Sequence, residues 1–307
     1  MWGVSGLMTQ SRLKRSRFFR IHPYVSFLYF LVVIILIMFS MHPVILAVAF
    51  LTSFLYSVYL GGRRQLIMNG KLLPIALMVC LINPLFNHQG VTILCYMNNN
   101  PITLESILFG LMSGLMIYDI ILYFQIFHMI ITEDKLICIF SRLLPIGSLL
   151  LTMAFRFVPM YRKQYHNIER AQKCIGQDTK SGNPLLRIMN GISLISALIT
   201  WCLENAIETS DSMKARGFTL KGRTYYQNSR MTHLDWKYFW GEVGLFLLIL
   251  IGLFTSYYTV HYFPSIIYPR TLMHGFVFYF IFTFFCLIPF LMDIKEELLW
   301  HILRRKI

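Results

Sequence analysis

The sequence predicts an all-α membrane protein with about six transmembrane helices and a cytoplasmic or interfacial insert before the last two. Hydrophobic residues make up 56% of its 307 residues and charged residues only 14%, whereas soluble domains carry about 25% charged residues. Several apolar runs approach the roughly 20 residues that a helix needs to cross a bilayer. The chain has 28 Lys and Arg against 14 Asp and Glu, and its positive charges lie between the apolar runs.

Six apolar runs have the composition of spanning helices. They cover residues 24–40, 44–60, 72–86, 104–131, 243–260 and 272–292. Between residues 131 and 243 the apolar pieces are short or broken by charge. The sequence therefore predicts N-terminal transmembrane helices 1–4 in residues 1–132, a cytoplasmic region in residues 133–237, and C-terminal transmembrane helices 5–6 in residues 238–307.

The placement of Lys and Arg predicts the orientation, because cytoplasmic loops are enriched in both. Basic residues cluster at the N-terminus, after the second run and at the C-terminus: Arg12, Lys14, Arg15, Arg17, Arg20, Arg63, Arg64, Lys71, Arg304, Arg305 and Lys306. The loop 87–103 has no Lys or Arg, and the loop before the last run has only Arg270. We expect a multi-pass protein of the cell (cytoplasmic) membrane with both termini in the cytoplasm.

Two further apolar pieces, residues 143–160 and 188–203, are expected to lie at the membrane surface. Pro145 interrupts the first piece, and only about a dozen apolar residues separate it from Arg156, too few to cross. The second piece offers about sixteen residues, which is also short for a span. If the first piece crossed the membrane, the basic block after it and the basic C-terminus would lie outside.

The sequence holds no motif for catalysis or nucleotide binding. H-E-x-x-H, G-x-S-x-G and the phosphate-binding P-loop pattern are missing. Its six cysteines include no C-x-x-C pair and fall mostly in apolar runs. We expect no catalytic residue, no cofactor and no metal site, so that any ATP hydrolysis belongs to a partner.

Two helix-like stretches of the insert end at a glycine, which suits the left-handed turn that terminates a helix. The first runs to Cys174-Ile175-Gly176 and the second to Ala215-Arg216-Gly217. Each leaves a small residue two places before the glycine. The backbone of another protein could approach both ends closely.

With these motifs and the long basic insert, the sequence resembles the EcfT/CbiQ family, the transmembrane (T) components of energy-coupling factor (ECF) transporters. That family is known for two cytoplasmic coupling helices, each ending in an Ala-Arg-Gly or Ala-Arg-Ser motif that docks into an ABC-type ATPase. Ala215-Arg216-Gly217 matches this motif unaltered, whereas Cys174-Ile175-Gly176 has Ile175 in place of the arginine. The resemblance covers about residues 23–223.

The resemblance implies a coupling subunit that is not itself an enzyme. It would transmit the conformational change of two ABC-type ATPase subunits, or of an ATPase homodimer, to a membrane-embedded S component that binds a vitamin, metal ion or similar micronutrient. Arg216 is expected to contact an ATPase more strongly than Arg223 does. Docking at Ile175 would be apolar, because isoleucine cannot form a bidentate salt bridge. The bilayer, and not nucleic acid, accounts for the basic charge.

Other interpretations stay open at this point. An integral membrane enzyme acting on lipid-linked or prenyl substrates is the main alternative, although the insert lacks the paired acidic motifs that hold magnesium. A membrane scaffold is a third. Asp119 lies in the middle of the fourth run and is a candidate intramembrane polar site, with a structural hydrogen bond to a neighbouring helix as an equal alternative. Gly110 and Gly114 form G-x-x-x-G, which we interpret as internal helix packing.

Overall fold

The computed structural model describes residues 16–87, 89–97, 100–143, 145–178, 183–218, 220, 231–255, 260, 262–265 and 272–305. The elements are α1 (Arg17–Arg20), α2 (Pro23–Phe39), α3 (Pro43–Phe86), β1 (Ile93–Met97), β2 (Asn100–Thr103), α4 (Leu104–Ile130), α5 (Glu133–Leu143), α6 (Pro145–Cys174), α7 (Pro184–Ala215), α8 (His233–Phe254) and α9 (Leu272–Arg305). The predicted all-α fold class is confirmed, since a single hairpin of two short strands interrupts the helices described.

Five of the described helices are long and apolar enough to cross a membrane. They are α3, α4, α7, α8 and residues Gly275–Trp300 of α9, and the 17-residue α2 is a shorter apolar helix. The predicted runs fall on α2, α3, α4, α8 and α9. The chain is therefore a multi-pass membrane protein.

Helix α3 holds both the second and the third predicted spans, because it breaks at Gly62. This glycine has φ 60° and ψ −149°, a conformation that residues with a side chain rarely adopt. Before the break, contacts with α4 move towards the C-terminus of both helices, from Phe50 with Tyr118 to Thr52 with Tyr123. After the break, they move towards the N-terminus of α4, from Asn69 with Tyr118 to Ala76 with Gly114. The two halves of α3 are therefore antiparallel, as two successive spans must be.

Gly110 and Gly114 let α4 pack closely against the second half of α3. A Cβ atom added to Gly110 would lie 2.8 Å from the carbonyl oxygen of Cys80, and one added to Gly114 would lie 2.8 Å from that of Ala76. Such distances are too short for a real contact, so only glycine fits here. The interpretation of this G-x-x-x-G pair as internal packing is confirmed.

One compact unit consists of residues 1–136 and 230–307, and its apolar core joins the N-terminal segment to the last helix. Phe18 and Tyr29 are buried and pack edge to face with ring centroids 5.4 Å apart, and Tyr29 also contacts Phe285. In the C-terminal third of α9, Glu296 lies 3.8 Å from Arg17 and 3.5 Å from Arg20. Arg12, Lys14, Arg15, Arg270 and Lys306, which contributed to the predicted orientation, lie outside the described residues.

The other compact unit is residues 137–229, in which α6 and α7 are the long elements. The predicted insert, residues 133–237, has similar limits, but the side of the membrane on which it lies stays a prediction. Helix α7 extends beyond the predicted piece 188–203, from Pro184 to Ala215, and is long and apolar enough to span. Its predicted position at the membrane surface therefore rests on the charge distribution alone.

Candidate functional site

The two glycine-terminated helices of the insert, α6 and α7, lie side by side in antiparallel order. Three contacts define this order: the Tyr161 and Trp201 rings at a centroid distance of 5.9 Å, Gln172 Nε2 to Ser193 Oγ at 3.4 Å, and Asn190 Nδ2 to the Asp178 carbonyl oxygen at 3.1 Å. Taken in this order, the contacts move towards the C-terminus of α6 and towards the N-terminus of α7. The end of α6 therefore lies beside the first half of α7.

The end of α6 forms a Schellman motif, in which the last backbone carbonyls accept hydrogen bonds from a left-handed turn. Gly176 has φ 82°, its N–H donates to the Lys173 carbonyl at 3.2 Å, and the Gln177 N–H donates to the Gln172 carbonyl at 2.9 Å. A left-handed residue at this position favours glycine. Ile175, directly before the glycine, is the C-cap residue.

The end of α7 has the same hydrogen bonds. Gly217 has φ 73°, its N–H donates to the Lys214 carbonyl at 3.0 Å, and the Phe218 N–H donates to the Met213 carbonyl at 3.1 Å. Arg216 is the C-cap residue here. Ile175 and Arg216 thus occupy equivalent positions, which agrees with the way the sequence pattern aligned the two tripeptides.

Both helix ends are accessible. Ile175 is 71% exposed, and Cys174, Gly176, Ala215 and Arg216 are exposed as well. Among the described residues, none has an atom within 4 Å of a Cβ atom added to Gly176. A partner's backbone could therefore approach the first end as closely as the sequence suggests.

The two ends differ in the chemistry that they present. In the part of the chain that the structure covers, the Arg216 guanidinium has no hydrogen bond or ion pair, while Lys214, two residues earlier, pairs with Asp211 at 3.5 Å. An unpaired guanidinium can bind a carboxylate of another protein through two parallel hydrogen bonds. Ile175 can offer only an apolar contact.

The antiparallel packing places these ends far apart. Gly176 lies near Asn190 of α7, and Gly217 follows the C-terminus of the same helix. At 1.5 Å per residue, the stretch of α7 from Asn190 to Gly217 is about 40 Å long. The two ends therefore suit two separate contacts, one at each end of the helix pair.

Asp119 belongs to the other compact unit, on α4. Its side chain is fully buried, and neither carboxylate oxygen has a hydrogen-bond partner among the described residues. The neighbouring Tyr118 hydroxyl donates to the Asn69 carbonyl at 3.2 Å. Within the described residues Asp119 thus has no hydrogen bond to a neighbouring helix, and its role as an intramembrane polar site stays a prediction.

Sequence reasoning did not identify the residues that hold the helix pair together. Gln172 and Asn190 fix the end of α6 and the segment after it against α7. Single polar residues in a charged amphipathic helix are common, so the sequence carries no signal for either one. A signal would require knowledge of the register between α6 and α7, which only the structure supplies.

Comparison with known proteins adds an independent observation. The model of a family described as CbiQ, cobalt transport protein, matches residues 15–226, which include both helix ends. A protein of Leuconostoc gelidum named energy-coupling factor transporter transmembrane protein EcfT is 29% identical over 105 residues, or 34% of this chain and 39% of the relative. A protein of the same name from Staphylococcus aureus is 28% identical over 163 residues, or 49% of this chain and 61% of the relative. An uncharacterised protein of Mycoplasma pneumoniae is 32% identical over 89 residues, or 29% of this chain and 20% of the relative. The chain therefore aligns with less than two thirds of each of these relatives.

Proposed function

Because the chain belongs to the CbiQ family of cobalt transport proteins, we propose that it is the transmembrane coupling subunit of an ECF-type importer. It passes the conformational change of two ABC-type ATPase subunits, or of an ATPase homodimer, to a membrane-embedded S component that binds the transported vitamin, metal ion or similar micronutrient. The name of the two EcfT relatives supports this function. ATP hydrolysis takes place in the partners.

The observation that carries the proposal is the pair of equivalent helix ends. Gly176 and Gly217 terminate α6 and α7 with the same hydrogen bonds, and both ends are accessible. They lie about 40 Å apart along the helix pair, so each can contact a different ATPase subunit. A membrane enzyme or a scaffold would not need two such ends.

The coupling follows from rigid contacts between the two helices. When the ATPase subunits close on ATP, the helix ends that they hold move with them. The Tyr161–Trp201 ring contact and the Gln172–Ser193 hydrogen bond join α6 to α7, so movement at one end is passed along the pair. Helices that slide or rotate as rigid bodies are a common means of transmitting such changes.

The two helix ends have unequal roles in this mechanism. Arg216 forms a charge-assisted pair with an acidic side chain of one ATPase subunit, and Ile175 packs against an apolar surface of the other. The arginine contact contributes more to assembly, because loss of one partner from a close, desolvated charge pair costs about 2–5 kcal/mol.

The proposal is tested by purifying the complex through a tag on this chain, after expression with its ATPase and S-component partners. We expect wild type to retain ATPase and Arg216→Ala to retain at least about tenfold less, as 1.4 kcal/mol corresponds to a factor of ten. Arg223, the comparison that the sequence suggests, lies outside the described residues. The matched control is Arg162→Ala, an exposed arginine within α6, which should retain ATPase like wild type.

Two results would contradict the proposal. If wild type retained no ATPase, the chain would not be a coupling subunit, and an enzymatic activity of the isolated chain would favour the membrane-enzyme alternative. If Arg216→Ala and Arg162→Ala had equal effects, Arg216 would lose its assigned contact while the coupling function itself could stand.

A further inference from the structure

The β1–β2 hairpin between α3 and α4 exposes apolar side chains and lies in a segment without charged residues. Residues 87–103 contain no Asp, Glu, Lys or Arg. The exposed fractions are 67% for Val91, 49% for Ile93, 59% for Leu94 and 66% for Tyr96. Contiguous exposed apolar surface of this kind marks a site of interaction with a membrane or another protein.

Both faces of the hairpin are apolar. An extra residue in β1, Leu94, shifts the register of the two strands. Ile93 and Cys95 therefore pair with adjacent residues of β2 and point to opposite faces, and Tyr96 shares the face of Ile93. All four are exposed. A protein partner seated on one face would leave the other in water, whereas a lipid environment surrounds both.

The hairpin is held firmly at the start of α4. The Glu105 carboxylate accepts hydrogen bonds from the Thr92 N–H at 3.2 Å and the Thr92 hydroxyl at 2.8 Å. The Leu104 N–H donates to the Thr92 carbonyl, and the Thr103 hydroxyl donates to the Gln89 carbonyl. These bonds fix the base of the hairpin, so its apolar side chains are presented from a defined position.

The apolar surface continues from the end of a spanning helix. Leu81, Leu85 and Phe86 of α3 are 65%, 47% and 82% exposed, and in a membrane-spanning helix such side chains face lipid. The hairpin begins only a few residues further on. Its exposed apolar side chains therefore extend a surface that already faces the bilayer.

We propose that the β1–β2 hairpin rests in the interfacial layer of the bilayer, with its apolar side chains in contact with lipid. The outer edges of a two-stranded hairpin carry unpaired backbone N–H and C=O groups, which are costly in hydrocarbon. The hairpin therefore lies at the depth of the headgroups, where water satisfies these edges and where tyrosine side chains such as Tyr96 are enriched. The proposal depends neither on coupling to an ATPase nor on the side of the membrane.

The first test uses the unmodified chain in nanodiscs, without any partner protein. A phosphatidylcholine with a photoactivatable diazirine near its headgroup is activated by light, and the adducts are located by mass spectrometry. We expect adducts within residues 87–103. Their absence, with adducts present on the exposed face of α3, would overturn the proposal.

The second test measures depth with two natural cysteines. Cys95 in the hairpin and Cys174 at the end of α6 are both exposed, and each is kept as the single labelled thiol with a fluorophore. At Cys95 we expect the strongest quenching from lipids with a nitroxide near the headgroup. It should exceed, several-fold, the quenching by aqueous iodide and by lipids with a nitroxide near the end of the acyl chain. Cys174 serves as the control for a water-exposed label.

Three outcomes of this measurement would overturn the proposal. Strong iodide quenching at Cys95 would place the hairpin in water, and strongest quenching by the deep nitroxide would place it in the hydrocarbon core. Iodide protection that arises only when partner subunits are added would identify the hairpin as a protein contact. Because the photolabelling uses the unmodified chain, a cysteine variant that fails to fold does not remove the test.

Discussion

Two aspartates buried among the helices differ in the hydrogen-bond donors that surround their carboxylates. Asp119 on α4 is 0% exposed and Asp293 on α9 is 3% exposed. Asp293 accepts hydrogen bonds from the Ser16 hydroxyl at 2.7 Å, the Phe18 N–H at 3.1 Å and the Tyr56 hydroxyl at 3.1 Å. Both oxygens of Asp119 lack such a donor within the described residues. A buried carboxylate with three donors is stable, whereas one without donors is most stable as the neutral acid.

We therefore expect Asp119→Asn to leave stability nearly unchanged, because asparagine resembles the neutral acid in size and charge. Asp293→Asn should lower the free energy of unfolding by about 1–3 kcal/mol. The amide nitrogen of asparagine is a hydrogen-bond donor, and it would face a donor group whose hydrogen bond the carboxylate now accepts. Thermal unfolding of both variants in detergent micelles at neutral pH makes the comparison. A greater loss for Asp119→Asn than for Asp293→Asn would contradict this and indicate an ionised Asp119.

The sequence predicts Asp119 as a candidate site but not Asp293, and the reason is physical. An acid in the middle of an apolar run, such as Asp119, is visible because charge in a spanning helix is costly. Asp293 follows the last predicted run and looks like the start of a polar terminus. Its donors Ser16 and Tyr56 lie 277 and 237 positions away in the chain. No local pattern connects such distant residues, so only the folded structure assigns Asp293 its partners.

Whole elements were easier to predict than their contacts. The glycines at 176 and 217 predict two helix stops, because the left-handed turn after a helix favours glycine, and both have positive φ in the structure. The Gly62 break divides α3 into two antiparallel halves, which correspond to the second and third predicted spans. The register of α6 against α7 was not predictable, because it depends on side-chain pairs such as Gln172 with Ser193 that follow no sequence period.

The equivalence of the two helix ends leads to a prediction for the first one. Ile175→Asp should reduce ATPase retention, because it would bury an unpaired carboxylate in an apolar contact. Ile175→Ala should reduce it less, since only apolar contact area is lost. Ile175→Arg should be tolerated, and should strengthen binding if the partner has an acidic side chain there. ATPase retention on the purified membrane complex at two salt concentrations measures all three.

One result would contradict the prediction for Ile175. Undiminished retention with Ile175→Asp would mean that the end of α6 does not contact an ATPase. Assembly would then depend on Ala215-Arg216-Gly217 alone. Far-ultraviolet circular dichroism of each variant serves as the control for folding, because Ile175 is 71% exposed and its replacement should leave the helix content unchanged.

For the molecule as a whole, the number of crossings decides where its parts lie. If the apolar helices α2, α4, α8 and α9 and the two halves of α3 each cross once, the chain has six crossings, an even number that returns the C-terminus to the side of the N-terminus. Helix α7 also has the length and composition of a span. If α7 crossed, the chain would have seven crossings, and the basic residues Arg304 and Arg305 would lie opposite the basic N-terminus. The positive-inside rule opposes that arrangement.

We therefore predict six crossings, with both termini and residues 133–237 in the cytoplasm. Single-cysteine variants in intact cells provide the test with a membrane-impermeant maleimide. A cysteine at the exposed Gln89, in the loop without Lys or Arg, should react from outside, whereas the exposed Cys174 should react only after the cells are permeabilised. A cysteine at position 180, outside the described residues, should behave like Cys174.

A second position is needed to test α7, because Cys174 and position 180 both precede this helix. A cysteine at the exposed Lys214 tests its far end. Protection of Cys174 together with reaction at position 214 would show that α7 crosses the membrane, and reaction of Cys174 in intact cells would place the end of α6 outside. Protection of both positions is expected, because only then can the two glycine-terminated ends meet ATPase subunits on the same face of the membrane.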